Sequence, residues 1–227
     1  MAQLVPSILE ITKDGFLNIY RKETKLPGAE RIQIDFGDGI FVPNKILPAS
    51  EIDVLNPAFY WEAHLMVSEP QDFLDYQICG FKTIVIHYEA FAQKESILKA
   101  IKTIKSQGME PGLCISPNTK ISVLKDYAET IRHFQIMGVY PGRQGTPFVE
   151  KTYNRVAELR KLLPNAIIEV DGGVGIGNIK QLISSGADLL ILGSAITKAP
   201  NMAEAWDRLN QQLTISAKGG SASGGNN

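Results

Sequence analysis

Short apolar runs alternate with longer amphipathic ones along most of this chain. The short runs are Leu4–Leu9, Arg31–Phe36, Trp61–Val67, Thr83–Tyr88, Glu110–Ser116, His133–Val139, Ala166–Asp171 and Leu189–Leu192. Several, such as Thr83-Ile84-Val85-Ile86, are apolar almost without interruption. That pattern suits parallel strands covered on both faces. Between them the spacing predicts helices over Asp14–Thr24, Gln71–Cys79, Lys94–Ser106, Val149–Leu163, Asn178–Ser185 and Ala203–Leu213, with a weak, Pro-interrupted candidate at Leu47–Phe59. Ile97, Leu98, Ile101 and Ile104 recur at helical spacing, and Gly80, Gly108 and Gly186 stand where helices stop. Eight strands alternating with helices predict one α/β domain over residues 1–216, a closed (β/α)8 TIM barrel. An open dinucleotide-binding sheet would need a glycine-rich turn after an early strand. Gly173-Val174-Gly175-Ile176-Gly177 comes after the seventh.

Composition narrows the function. Lys and Arg number 23 against 24 Asp and Glu, so no basic surface invites nucleic acid, and no polybasic run invites a membrane. The N-terminus has no signal-peptide pattern, and no run is long and apolar enough to span a bilayer. Cys79 and Cys114 are far apart and read as reduced core residues of a cytoplasmic protein. Residues 217–227 are almost wholly Gly, Ser, Ala and Asn, the composition of a disordered tail or an appended linker.

In a barrel of this kind the chemistry sits at the C-terminal strand ends. Gly172-Gly173 follows the seventh strand and Gly193-Ser194 the eighth; Pro141-Gly142-Arg143-Gln144-Gly145 follows the sixth. One glycine pair reads as an ordinary turn. Three glycine-bearing loops in succession favour a phosphate site, where backbone N–H groups meet the anion without a Cβ in the way. Alternation puts Gln33 and Asp35 on one side of the second strand. If that side faces the barrel axis, Gln33, Asp35, His64 and Asp171 converge, and a His with two carboxylates is a divalent-metal donor set. His133 reads as a hydrogen-bonded core residue. Asp38, in an Asp-Gly turn, reads as a turn stabiliser. His87 reads equally as a substrate contact or a support.

Taken in order, Val5-Pro6-Ser7-Ile8-Leu9, Asp35 through Asp38-Gly39 to Phe41-Val42-Pro43-Asn44, His64-Leu65-Met66-Val67, Ile86-His87-Tyr88-Glu89-Ala90, Pro117-Asn118-Thr119, Glu169-Val170-Asp171-Gly172-Gly173-Val174 and Gly193-Ser194-Ala195-Ile196 resemble the ribulose-phosphate 3-epimerase family. The resemblance runs from Val5 to about Leu209. It implies a pentose-phosphate isomerase that inverts C3 through an enediolate, with Asp35 and Asp171 as the two proton-transfer groups. It implies a divalent metal (Zn, Fe(II) or Mn) at Gln33, Asp35, His64 and Asp171, and substrate contacts from Ser7, Met66, His87, Gly142, Gly145, Gly172, Gly173, Gly193 and Ser194. The partner implied is a sugar phosphate, and association into a homo-oligomer is common among such barrels.

Three departures fall at the expected site. The family's His-x-Asp is here Gln33-Ile34-Asp35, so an amide stands where an imidazole ligand does, and weaker metal binding is expected. Gly37 replaces a Met, which would enlarge the sugar site. The loop usually reading Pro-Gly-Phe-Gly-Gly-Gln is Pro141-Gly142-Arg143-Gln144-Gly145-Thr146. Two alternatives therefore stand beside the pentose-phosphate epimerase: an epimerase for another ketose phosphate, such as allulose 6-phosphate, and a catalytically impaired barrel that binds phosphosugars. Decarboxylases and aldolases on similar barrels fit less well, since no Asp-x-Lys-x-x-Asp pattern and no Schiff-base Lys at a strand end is present.

Overall fold

A computed structural model describes residues 2–53, 55–70, 74–141 and 146–219. Eight parallel strands close a barrel in sequence order. They are β1 (Gln3–Ile8), β2 (Arg31–Gly37), β3 (Tyr60–Met66), β4 (Thr83–His87), β5 (Glu110–Ile115), β6 (His133–Met137), β7 (Ile167–Asp171) and β8 (Leu189–Leu192). All eight expected strands form, with ends shifted by at most two residues. The helices are α1 (Lys13–Glu23), α2 (Leu74–Cys79), α3 (Lys94–Ser106), α4 (Thr152–Leu162), α5 (Ile179–Ser185), α6 (Ser194–Thr197) and α7 (Met202–Gly219). The first part of the expected helix Gln71–Cys79 lies outside the described residues. α7 runs three residues past the boundary that composition set for the tail, and residues 220–227 also lie outside the described residues.

Alternation along each strand sorts its side chains into two environments. Ile32, Ile34 and Phe36 of β2, Trp61, Ala63 and Leu65 of β3 and Phe134 and Ile136 of β6 point outward and pack in one large cluster with Ile97, Ile101, Val156 and Leu182 of the helices. This outer shell is apolar on every strand. The barrel interior takes the remaining positions, and most of the polar strand residues are there. Gln33, Glu62, His64, His87, Gln135 and Glu169 are all fully buried.

Two crossovers differ from the alternating pattern. Among its described residues, the weak candidate Leu47–Phe59 holds one 3-10 turn, Ala49–Glu51, which starts at Pro48. The β5–β6 crossover is a 3-10 helix, Ile121–Tyr127, whose buried residues Ile121, Leu124 and Tyr127 recur every third position. That is the period of a 3-10 turn, not of an α-helix. No helix among the described residues is long and apolar enough to cross a membrane. Both cysteines are free and buried.

The lower interior layer stores charge. Arg31 Nη1 lies 2.8 Å from Glu62 Oε2, and His133 Nε2 lies 3.2 Å from Glu169 Oε2, so His133 is the hydrogen-bonded core residue its sequence context suggested. Burial, and then the Glu169 charge, push Glu62 up to about 8. Burial likewise pushes Glu169 up to about 7, against the pull of Arg31. A carboxyl whose folded pKa is raised stabilises the fold at low pH and loses that contribution as pH rises through the folded value. His133, whose pKa burial lowers, acts in the opposite sense and below neutrality. Between pH 6.5 and 9 the melting temperature is therefore expected to fall, by on the order of 5 °C. Glu169→Gln should flatten that slope; equal slopes in both proteins would refute the assignment.

Candidate active site

Four side chains from three strands meet at the upper end of the interior. In β2, Gln33 and Asp35 are two residues apart and share the inner face; β3 supplies His64, which pairs in register with Asp35, and β7 ends in Asp171. Gln33 Nε2 donates to Asp35 Oδ1 at 2.8 Å and to Asp171 Oδ2 at 2.9 Å. His64 Nδ1 lies 3.0 Å from Asp35 Oδ1 and 2.9 Å from Asp171 Oδ2. Asp35, His64 and Asp171 thus offer ligand atoms within 4.8 Å of one another, enough for three protein ligands to one divalent ion. The convergence expected from alternation is present, and all four residues belong to it.

Electrostatics couples the group. Burial, and then the charge of Asp171, raise Asp35 to about 6, although hydrogen bonds from His64 and Gln33 pull the other way. Burial opposes a charge on His64, but its bonds to Asp171 and Asp35 outweigh that and raise its pKa well above the ordinary value.

A second row supports the first. His64 Nε2 lies 2.9 Å from His87 Nε2, and His87 Nδ1 lies 3.3 Å from Glu89 Oε2. Glu89 Oε1 accepts from the Ser116 N–H at 2.8 Å and from the Thr119 hydroxyl. His87 is fully buried behind His64 and under the Phe41 ring, whose centroid is 4.8 Å away. The structure therefore moves His87 from the substrate wall to a support of His64. Gln135 was missed in the sequence. Its Nε2 donates to Asp171 Oδ2 at 2.9 Å. The available signal was a polar residue at the inward position of β6, between His133 and Met137.

Above the carboxylates lies a cavity lined by Ser7, Asp35, Met66, Asp171, Gly172, Gly173, Gly193 and Ser194, together with Leu9, Met137 and Val139. Six of the nine residues expected to touch substrate line it. Gly142 and Gly145, with Arg143 and Gln144, lie outside the described residues. Asp38 is a turn residue as expected: its carboxylate accepts from the N–H groups of Ile40, Phe41 and Ser68 and from the Ser68 hydroxyl.

The enlargement expected at Gly37 is not there. A Cβ at Gly37 would lie 2.8 Å from Val42 Cγ2 and 2.9 Å from the Asn44 carbonyl oxygen. The loop after β2 has folded into the space a side chain would take, and Val42, Ile46 and Met66 form a small apolar cluster there. The glycine lets that loop approach; it does not widen the cavity.

Residues 3–197 match the model of the ribulose-phosphate 3-epimerase family. The chain is 33% identical over 193 residues to the chloroplastic ribulose-5-phosphate 3-epimerase of Arabidopsis thaliana, covering 81% of this chain and 68% of that protein. It is 30% identical over 220 residues to the cytoplasmic isoform of ribulose-phosphate 3-epimerase from Oryza sativa, covering 93% of this chain and 94% of that one. Among solved structures, the 3-hexulose-6-phosphate synthase of Salmonella typhimurium superposes with a TM-score of 0.70 at 16% identity, over 94% of this chain and 99% of the other, a likeness of fold alone. The paired carboxylates at the mouth of a closed barrel, and a match that spans every strand, place the chain in the ribulose-phosphate 3-epimerase family of carbohydrate-phosphate epimerases.

Proposed function

We propose that this protein interconverts ribulose 5-phosphate and xylulose 5-phosphate by moving a proton on and off C3. The observation that carries the reading is the pair Asp35 and Asp171, which reach one cavity from the non-adjacent strands β2 and β7. Inversion needs a base on one face of C3 and an acid on the other. The ionised carboxylate takes the C3 proton, and the electron pair moves onto the C2 carbonyl to give an enediolate. The protonated carboxyl then delivers its proton to the opposite face. Burial, and then the charge of Asp171, bring Asp35 up to about 6, closer to neutrality than an ordinary carboxyl.

Asp35, His64 and Asp171 present a donor set that fits a divalent ion, and Gln33 stands beside them with its Nε2 toward both carboxylates. Such an ion (zinc, iron(II) or manganese) would supply Lewis-acid stabilisation of negative charge on the sugar oxygens. Met66, Met137 and Val139 exclude water from the reacting carbons. Gly172, Gly173, Gly193 and Ser194 are the phosphate end of the cavity, where the glycines leave the backbone open to an anion and Ser194 adds a hydroxyl. The reading carries a cytoplasmic location and a sugar phosphate as partner.

The test is C3 epimerisation of ribulose 5-phosphate by purified protein supplied with zinc, iron(II) or manganese. NMR in D2O should show xylulose 5-phosphate forming with deuterium at C3. No turnover by folded protein with any of the three metals would sink the reading. Turnover of a ketohexose 6-phosphate in its place would show a changed substrate.

A further inference from the structure

The amide of Gln33 occupies the place where the family resemblance puts an imidazole ligand, and its surroundings indicate what it does there. Four contacts close a ring. Gln33 Nε2 is 2.8 Å from Asp35 Oδ1, which is 3.0 Å from His64 Nδ1; that atom is 2.9 Å from Asp171 Oδ2, which is 2.9 Å from Gln33 Nε2.

The odd atom is Gln33 Oε1. It is buried and has no hydrogen-bond partner. Turning the amide by about 180° around its last torsion exchanges Oε1 and Nε2 with almost no change of shape. It brings the orphaned acceptor into the ring. Beside two carboxylate oxygens an amide oxygen is repelled unless a cation lies between them. The amide orientation is thus coupled to cation binding: N–H groups tie the carboxylates together in one state, and Oε1 joins them as a ligand in the other.

His64 is prepared for the same role. Glu89 Oε2 accepts from the N–H at His87 Nδ1, which leaves His87 Nε2 to accept from the N–H at His64 Nε2. His64 Nδ1 thus faces the ring, and a cation there displaces the proton that Nδ1 shares with Asp35 and Asp171 in the ion-free chain, while the His87 contact holds the imidazole from behind. The ring therefore offers one imidazole nitrogen and three oxygens. The two-His, two-Asp set implied by the resemblance would offer two of each.

Resting on the metal-assisted reading above, we propose that Gln33 is a metal ligand through Oε1, and that the resulting one-nitrogen, three-oxygen site favours manganese(II) over zinc relative to a two-imidazole site. Oxygen donors suit harder ions, and replacing imidazole by a carbonyl oxygen costs zinc more affinity than manganese.

The experiment compares the wild type with Gln33→His and Gln33→Met, without sugar present. Manganese binding is read by EPR titration and zinc by competition with a chromophoric chelator. The wild type should bind one manganese per chain, with a zinc-to-manganese affinity ratio at least tenfold below that of Gln33→His. Electron spin-echo modulation should report one imidazole nitrogen on manganese in the wild type and two in Gln33→His. Gln33→Met keeps the volume without a hard donor; it should stay folded, with a melting temperature lowered by the two lost N–H bonds to Asp35 and Asp171, and should lose at least tenfold in manganese affinity. An unchanged metal ratio, undiminished manganese binding by Gln33→Met, or no manganese bound by the wild type would each overturn the proposal. No turnover is measured, so a protein that binds manganese as expected but leaves ribulose 5-phosphate untouched would refute the reaction and leave the ligand assignment standing.

Discussion

Asp171→Asn is expected to lower kcat for C3 inversion by about a thousandfold or more, the range that a positioned general acid or base contributes. Asparagine fills the same space, and its Oδ1 can still accept from Gln33, Gln135 and His64, so the fold should survive. What it cannot do is take or give a proton. The two-base arrangement makes a sharper prediction than loss of rate. With one carboxylate removed, the other still faces one side of C3. The epimer whose C3 proton points to Asp35 should therefore still exchange that proton for solvent deuterium, while inversion stops and the other epimer stays inert. Asp35→Asn should reverse the assignment. NMR in D2O on each epimer, at saturating metal, reads both effects. Inversion within tenfold of wild type in Asp171→Asn would remove this carboxylate from the reaction.

Gln33 and Asp35 could be set on one face from the sequence because a strand's period of two assigns faces without knowledge of the partners; Asp171 stood out as a carboxylate at the end of the seventh strand, and the roles of the two Asp came from the family resemblance. Once eight apolar runs imply a closed barrel, the outward positions must be apolar to meet helices, and an inward Gln33, Asp35 or His64 stands out. The same rule covered Gln135, but a single amide between Phe134 and Ile136 carries no chemistry until Asp171 is known to lie 2.9 Å away across a strand boundary. His87 read equally as a substrate contact or a support, because its depth in the barrel was not readable. Only packing shows that His64 and Phe41 stand between it and the cavity. At Gly37 the sequence recorded a missing side chain but not the response of the loop, since Val42 and Ile46 fill the space from five and nine residues further on. The crossover at Ile121–Tyr127 escaped for a related reason: a buried residue at every third position matches neither the 3.6 nor the 2.0 template.

Gly172→Ala should damage both stability and rate. Gly172 has φ +100°, and a Cβ there would sit 2.4 Å from Val139 Cγ2. A left-handed backbone costs a residue with a Cβ about 1–2 kcal/mol, and an overpacked core contact adds about 1–3 kcal/mol. Together they predict a melting temperature lower by on the order of 10 °C. Backbone cannot easily give way here. The Gly138 N–H donates to the Asp171 carbonyl at 2.6 Å, and the Gly172 carbonyl oxygen lies 2.3 Å from where a Cβ of Gly138 would be. Strain at Gly172 is therefore passed to the ends of β6 and β7, and Asp171 is the adjacent residue. A displaced carboxylate loses alignment with C3, and misplacement near 1 Å can cost about a hundredfold in rate, so kcat should fall along with stability and affinity for the phosphate end. Gly175→Ala is the control. It adds the same methyl to the same loop, but its nearest neighbour would be Ala195 Cβ at 4.0 Å, and φ there is not positive. Its melting temperature and kcat should match wild type. If Gly172→Ala melts within about 2 °C of wild type, Val139 yields more readily than its place in the cavity wall implies, and the close approach of β6 to β7 is not what holds Asp171 in position.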